Sequence, residues 1–330
     1  MKTDWQKIFN SFNRLKTLVI GDVMVDNYMW GKVNRISPEA PVPVVSVEKK
    51  ESRLGGAANV ALNVQAMGAI PILCSVIGED ENGKLFHQLL KKNKLPADGI
   101  IESEKRKTTV KTRIIAHTQH VLRVDEEMEN DLNNSETGLL FEKISALIKK
   151  EKIDVIIFED YDKGIITKNL IEKVISLAKS KNIPVAVDPK KRNFNYYHGA
   201  TLFKPNFKEL KEGTKADVSI SDISEIKKIA GKLKSTHNFE MILLTLSSQG
   251  VLIYNNSLQK LIPAHLRQIA DVSGAGDTVI SVAALCLALK ISPENMAELS
   301  NLAGGLVCEQ VGVVSIRKEQ LLREAKKCEM

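Results

Sequence analysis

Aromatic residues are scarce in this sequence, at 5%, and its four cysteines (Cys74, Cys286, Cys308 and Cys328) lie far apart. Few aromatics remove the stacking surface that single-stranded nucleic acid would need. Isolated cysteines offer neither a zinc-ligand spacing nor a disulfide framework, and they fit a reducing compartment. Long apolar runs are missing too: no stretch approaches the roughly 20 residues of a membrane-spanning helix. The opening MKTDWQKIFNSFNRL lacks the apolar core of a signal peptide and reads as a short amphipathic helix. A cytoplasmic protein without a membrane partner is the expectation. Internal repeats, low-complexity segments and flexible linkers are also lacking, which argues against several domains strung together.

Against these absences stand 43% hydrophobic and 26% charged residues, ordinary values for a globular chain. At 330 residues the chain can bury one large α/β core. The formal charge is +7, but the lysines are spread in pairs (91–92, 149–150, 190–191, 326–327), usually with glutamate nearby. A nucleic-acid footprint would gather on one element. The surplus reads instead as a lysine-rich surface around an anion-binding pocket, with a small molecule as partner and no nucleic acid.

Strand-like runs at 17–20, 70–77, 154–158, 185–188 and 241–245 alternate with helix-like runs at 57–67, 82–92, 168–181, 223–234 and 277–289. That alternation predicts an α/β fold, a mostly parallel sheet flanked by helices. Two segments break it. The stretch from about 24 to 54, with its PVPVVSVE, and that from about 108 to 125, TTVKTRIIAHTQHVLRVD, read as strands without helices between them. They predict a small β-sheet lid, discontinuous in sequence, on one domain spanning 1–330.

The strongest local signal is Asp271-Val-Ser-Gly-Ala-Gly-Asp277-Thr ahead of an apolar helical run. Glycines let successive N–H groups converge on one anion, and the helix adds its positive end. Asp277 beside a bound phosphate would repel it as a ligand, yet could take a proton from an attacking hydroxyl. Asp also caps helices, and the motif alone leaves both roles open. Gly55, Gly56 and Asn59 in LGGAAN could let a polar ligand approach the backbone, or could serve helix packing. Asp26, Asp160, Lys163, Asp188 and Lys190 all follow strand-like runs, the usual place for ligands in open α/β sheets. Asn206-Phe207-Lys208-Glu209 puts Asn and Glu one turn apart, suited either to hydrated Mg²⁺ or to a capping box.

Taken in order, these motifs resemble the PfkB, or ribokinase-like, family of carbohydrate kinases. The early GG-x-x-N lies at 55–59 and the late D-x-x-GAGD-T at 271–278. Asn206–Glu209 is similar to the family's N-x-x-E, and Thr245-Leu246-Ser247-Ser-Gln-Gly250 to its T-L-x-x-x-G nucleotide loop. The stretch N-R-I-S-P-E-A-P-V-P-V-V at 34–45, with DYDKG at 160–164 and GATL at 199–202, resembles the heptose 7-phosphate kinases of that family. Departures are Lys191 after DPK, where the family often has Gly, and Ser273 where Thr is usual.

The resemblance implies a ribokinase-like fold and MgATP across Asn206–Glu209, Thr245–Gly250 and Asn301. It implies a γ-phosphate at the Gly274, Ala275 and Gly276 amides, and Asp277 as the base. Sugar hydroxyls would fall to Asp26, Gly55, Gly56 and Asn59, with Asp160 also on the sugar side. The substrate phosphate would fall to Lys163 or to Arg35, Lys111, Arg113, Arg123 and Lys190. Glu209 would order Mg²⁺ through water, and Asp271 and Ser273 resemble positions that hold a monovalent cation such as K⁺ in some relatives. A homodimer through the lid is implied. In many bacteria such a kinase is fused to a nucleotidyltransferase, and the end of this chain implies a stand-alone version. The competing readings are another sugar kinase of the family, for ribose, fructose or a fructose phosphate, and a non-catalytic sugar- or nucleotide-binding regulator on the same fold.

Overall fold

A computed structural model describes residues 3–116, 119–265 and 267–327, which leaves Cys328 outside the described residues. After helix α1 (Trp5–Phe12) and strand β1 (Lys16–Gly21) the chain leaves the main body as a long hairpin, β2 (Val23–Ile36) and β3 (Pro43–Gly56). It returns through α2 (Ala57–Ala66), β4 (Ile70–Gly78), α3 (Glu81–Lys92) and β5 (Gly99–Ser103). A second excursion makes β6 (Val110–Ala116) and β7 (Gln119–Glu126). Then follow α4 (Asn134–Lys150), β8 (Val155–Glu159), α5 (Lys168–Ser180), β9 (Val185–Asp188), β10 (Leu202–Phe203), α6 (Phe207–Thr214), α7 (Ile223–His237) and β11 (Met241–Thr245). Strands β12 (Val251–Tyr254) and β13 (Gln259–Ile262) precede α8 (Ala275–Ala288), α9 (Pro293–Val307) and α10 (Lys318–Lys327).

The main sheet has nine strands in the order β13-β12-β11-β10-β9-β8-β1-β4-β5. It is parallel except at one edge, where β12 and β13 run antiparallel. Hydrophobic patterning does not reveal these two: each is four residues long, too short for a clear alternation. The excursions form a separate sheet, β3-β2-β6-β7, in which β2 and β6 are parallel. Among the described residues no helix is long and apolar enough to cross a membrane.

Central strands are apolar on both faces because helices cover both. Val155 and Ile157 of β8 pack in the core on the α2 and α8 side, while Ile156 and Phe158 join the core under α4, α5 and α7. The same two-residue period runs through β1 (Val19 against Leu18 and Ile20), β9 (Ala186 against Val185 and Val187) and β10 (Leu202 against Phe203). Extended by one step, it brings Gly21, Glu159, Asp188 and Lys204 out on the α8 side of neighbouring strand ends. Helix α8 is apolar all round, buried from Asp277 to Cys286, so its N-terminus sits on that row.

Asp22 fixes the loop that follows β8. Fully buried, it accepts N–H groups from Tyr161 at 2.7 Å, Lys163 at 3.2 Å and Ile165 at 3.0 Å. Arg106 closes the loop from outside, donating to the carbonyls of Lys163 at 2.5 Å and Asn130 at 2.9 Å. Asp22→Asn turns an amide donor against backbone donors and should lower unfolding free energy by about 2–4 kcal/mol. Urea denaturation checks this; an unchanged midpoint and slope would contradict the clamp.

Candidate active site

Asp277 lies in the first turn of α8 and is 5% exposed. Asn59 Nδ2 donates to its Oδ2 at 2.6 Å, and the Tyr161 hydroxyl donates to its Oδ1 at 2.8 Å. Asn59 is itself backed by Asn63, whose Nδ2 reaches the Asn59 carbonyl at 2.9 Å. Burial pushes the Asp277 carboxyl up, the bonds from Asn59 and Tyr161 pull it down, Asp188 pushes it up and Lys190 pulls it down; the balance is a raised value. A carboxylate that is partly destabilised yet still hydrogen-bonded suits a proton acceptor.

The turn before Asp277 forms the cradle that its glycines suggest. Gly274 has φ +79° and no side chain caps the helix that it opens; Ala275 N–H turns back to the Val272 carbonyl at 3.3 Å, and the next amides of α8, Gly276 and Asp277, point toward the open end. A Cβ on Gly276 would come within 3.7 Å of Asp188 Oδ2 and Lys204 Nζ, which places that ion pair directly beneath the turn. The pair is closed at 2.8 Å and buried on both sides. Asp271 shapes the turn from below: its oxygens accept the Ser273 and Gly312 N–H groups, both at 2.9 Å. Burial opposes its ionisation, but these bonds outweigh it and hold the carboxyl low. Both Asp271 oxygens thus face backbone donors, and the described residues contain no cluster of three His, Cys, Asp or Glu side chains able to hold a metal.

Glu209 and Asn206 form a reciprocal capping box at 2.8 Å in each direction. The other Glu209 oxygen accepts from Lys190 Nζ at 2.5 Å, and Lys190 also lies 5.3 Å from the Tyr161 ring centroid. Burial works against the Lys190 ammonium, yet Asp188 and Glu209 raise it well above the ordinary lysine range. Lys190, expected at the substrate phosphate, is therefore joined to the N-x-x-E motif. A hydrated Mg²⁺ would be held here by the buried, unpartnered Asp188 Oδ1 and, through water, by Glu209. Thr245 bridges to Asn206, with Ser247 (φ 53°) and Gly250 (φ +95°) shaping the turn beyond it. Leu246 is fully buried and packs in the core. Phe207 packs partly against the same core, and Lys208 is exposed, 3.9 Å from Glu212. Asn301 on α9 donates to the Pro263 carbonyl at 2.8 Å.

On the lid side, Asp26 is 2% exposed and ion-paired with Arg113. A Cβ on Gly55 would come within 2.1 Å of Asp26 Oδ2, so only glycine lets β3 pass that carboxylate. Gly56, at φ +61°, opens α2 and hence Asn59. Lys111 and Lys163 share Glu127, at 3.4 Å and 2.8 Å, and Lys163 also meets Glu129 at 3.0 Å. Lys163, Lys111 and Arg113 thus belong to one acid–base patch at the lid base. Arg123 is exposed and paired with Asp125 at 2.9 Å. Arg35 is nine residues along β2 from Asp26, roughly 30 Å at about 3.3 Å per residue, and is remote from Asp277 within one chain. Asp160 does not face the site: it is fully buried, and Asp162, Asn193 and Tyr197 occupy its oxygens. Burial and the neighbouring Asp22 push its carboxyl up to about 7.

Sequence reasoning alone does not single out Tyr161, Lys204, Glu159 or Asp22. The period of two along β8 and β10 is the available signal for Glu159 and Lys204; Tyr161 has none beyond its place in DYDKG. Glu159 is 1% exposed and neither of its oxygens has a hydrogen-bond partner. Burial, then Asp188 and Asp277, push its carboxyl well above the usual range, favouring the neutral acid. Such a group favours the fold fully below its unfolded value, about 4.3, and loses that contribution as pH rises through the folded value. Glu159→Gln, which cannot ionise, should therefore gain on the wild type in thermal melts as pH rises above about 5. A gap independent of pH would show that Glu159 is not held neutral.

The profile of the pfkB family carbohydrate kinases matches residues 14–320. The bifunctional protein HldE of Sulfurimonas denitrificans is 39% identical over 94% of this chain, and that of Campylobacter jejuni 41% identical over 95%. The chain spans only 64% and 65% of those relatives' lengths. Among solved structures, phosphofructokinase-2 from Escherichia coli superposes with a TM-score of 0.76 at 19% identity, covering 95% of this chain and 99% of that one. Arabidopsis thaliana ribokinase, complexed with ribose and ATP, gives 0.71 at 16% identity, covering 94% and 99%. These structures share the fold, and the family match extends across both sheets and the Asp277 turn: this chain belongs to the PfkB family and is a sugar kinase.

Proposed function

We propose that the chain transfers the γ-phosphoryl group of ATP to O1 of D-glycero-β-D-manno-heptose 7-phosphate, giving the 1,7-bisphosphate, a precursor step toward ADP-heptose of the lipopolysaccharide core. The observation that carries the chemistry is Asp277, a buried and doubly held carboxylate at the open N-terminus of α8. The choice of sugar rests on the RISPEAPVPV segment at the outer end of the lid hairpin and on the likeness to the HldE proteins. The attacking O1–H bond breaks and its proton passes to Asp277, while O1 bonds to phosphorus and ADP leaves. The α8 amides receive the phosphoryl oxygens. Asp26 and Arg113, fixed at the lid base, hold sugar hydroxyls. Mg²⁺, when bound near Glu209 and Asp188, supplies neutralisation of the phosphate charge.

A sugar that already carries phosphate needs a cation at its far end. Lys163 and Lys111 share Glu127, one of whose oxygens lacks a hydrogen-bond partner, so an incoming phosphate could take over its role. Exposed apolar residues on the lid, Ile36, Val42, Leu122 and Val124, support a homodimer through that sheet.

Asp277→Asn should cut kcat about 10²–10⁴-fold or more while leaving ATP affinity nearly intact; a variant keeping a tenth of wild-type turnover would remove Asp277 as the base. Lys163→Met should raise KM for the heptose phosphate about tenfold or more and leave KM for ATP unchanged. A panel of heptose 7-phosphate, fructose 6-phosphate, fructose and ribose decides the substrate. Preference for any of the last three would overturn the assignment while leaving the kinase chemistry in place.

A further inference from the structure

Asp277 is gripped in two different ways. Asn59 holds Oδ2 from a helix, and that helix is tied to α8 again by Asn63, whose Oδ1 accepts from Thr278 Oγ1 at 3.1 Å. Tyr161 holds Oδ1 from a loop. The loop is fixed at one point by the Asp22 carboxylate on the Tyr161 N–H. At another, the ring lies beneath Lys190, whose ammonium is on Glu209. The phenol thus joins the base to the residue that caps the N-x-x-E helix. Near Asp277 the acidic Asp188 opposes its ionisation and Lys190 favours it, while Glu159 is itself pushed toward the neutral acid.

An amide donor on one oxygen leaves a buried carboxylate short of what water would supply. A phenolic O–H is a stronger donor than an amide, and it stabilises the ionised acid more than the neutral one, since a bond to a carboxylate oxygen is stronger than one to a neutral carboxyl. Resting on the kinase reading, we propose that Tyr161 is a positioning residue for the phosphoryl transfer: its hydroxyl, bonded to Oδ1, keeps Asp277 ionised in a buried site. When Asp277 takes the acceptor proton, the phenol keeps its own; only the O–H···O⁻ bond weakens, and no proton leaves Tyr161.

The test removes one oxygen atom. Tyr161→Phe keeps the ring under Lys190 and deletes the donor. In protein labelled with ¹³C at the aspartate carboxyl carbons, with the Asp277 signal assigned by its loss in Asp277→Asn, the titration of Asp277 should move up by about one pH unit relative to wild type. The acid limb of kcat/KM for the heptose phosphate should move up by the same amount. On the acid limb kcat/KM then falls by up to about tenfold, while on the plateau above it the change is small. Replacing Tyr161 by 3-fluorotyrosine strengthens the donor and should move both measurements the other way. An unmoved titration, or a loss of activity equal at every pH, overturns the proposal. A titration that moves with an unmoved acid limb overturns it as well, together with Asp277 as the base. Should wild-type protein phosphorylate no sugar, the kinase reading falls by itself, and the carboxyl titration still decides whether the Tyr161 bond holds Asp277 ionised.

Discussion

A buried carboxylate held by two donors at a helix N-terminus, Asp277, is the feature around which this site is arranged. Moving such a group out of water costs several kcal/mol unless donors replace the lost hydration. At Asp277 the replacement comes from Asn59, Tyr161 and the positive end of α8. Each donor has its own anchor. Asn59 is held by α2, which can begin where it does because Gly56 adopts a positive φ. Tyr161 is held by Asp22, at the end of a neighbouring strand. A residue with no contact to the reacting atoms thereby governs the geometry of the base, and the clamp on the β8 loop is as much a part of the site as the glycine turn.

The charges around Asp277 divide into fixed and movable ones. Lys204 is 3% exposed and locked on Asp188, so it serves as permanent countercharge beneath the α8 turn. Lys190 is 30% exposed, lies over an aromatic ring and pairs with the remaining Glu209 oxygen. Solvent can reach its ammonium, whereas Glu209, 7% exposed, would keep only the Asn206 N–H as a donor if Lys190 changed partner. Glu159, buried and pushed toward the neutral acid, adds to this balance: a further negative charge here would oppose both Asp277 ionisation and the approach of a polyphosphate.

The fold and the reacting turn were legible in the sequence for a physical reason. Parallel strands buried on both faces read as apolar runs, and a turn that presents amides to an anion needs glycine at a position such as Gly274, with φ +79°. Residues whose role depends on distant partners were not legible. Lys163 and Lys190 both follow strands and both looked like phosphate ligands, yet one meets Glu127 and Glu129 and the other meets Glu209. Asp160 and Tyr161 are adjacent in sequence and point opposite ways, one into a polar cage of Asn193 and Tyr197, the other onto Asp277. Spacing alone gives no means of telling those directions apart without knowing where Asp22 ties the loop.

Strand β2 runs from the body of the protein out to the tip of the lid, and its two ends differ in what they touch. Its first residues, Val23 to Asp26, are buried and continuous with the body, which fixes Asp26 against Arg113 and Gly55. Its last residues run into solvent, and the RISPEAPVPV segment lies at that far end. Mutations near the tip leave the core strands and the Asp277 network untouched, because the tip lies exposed and far from both. Mutations at the base cannot avoid that network: the Tyr28 hydroxyl accepts the Val313 N–H at 3.1 Å, and the N–H of Gly312 beside it donates to Asp271. Through that pair of contacts the lid base is tied to the turn that leads into Asp277, whereas the tip makes no such tie among the described residues.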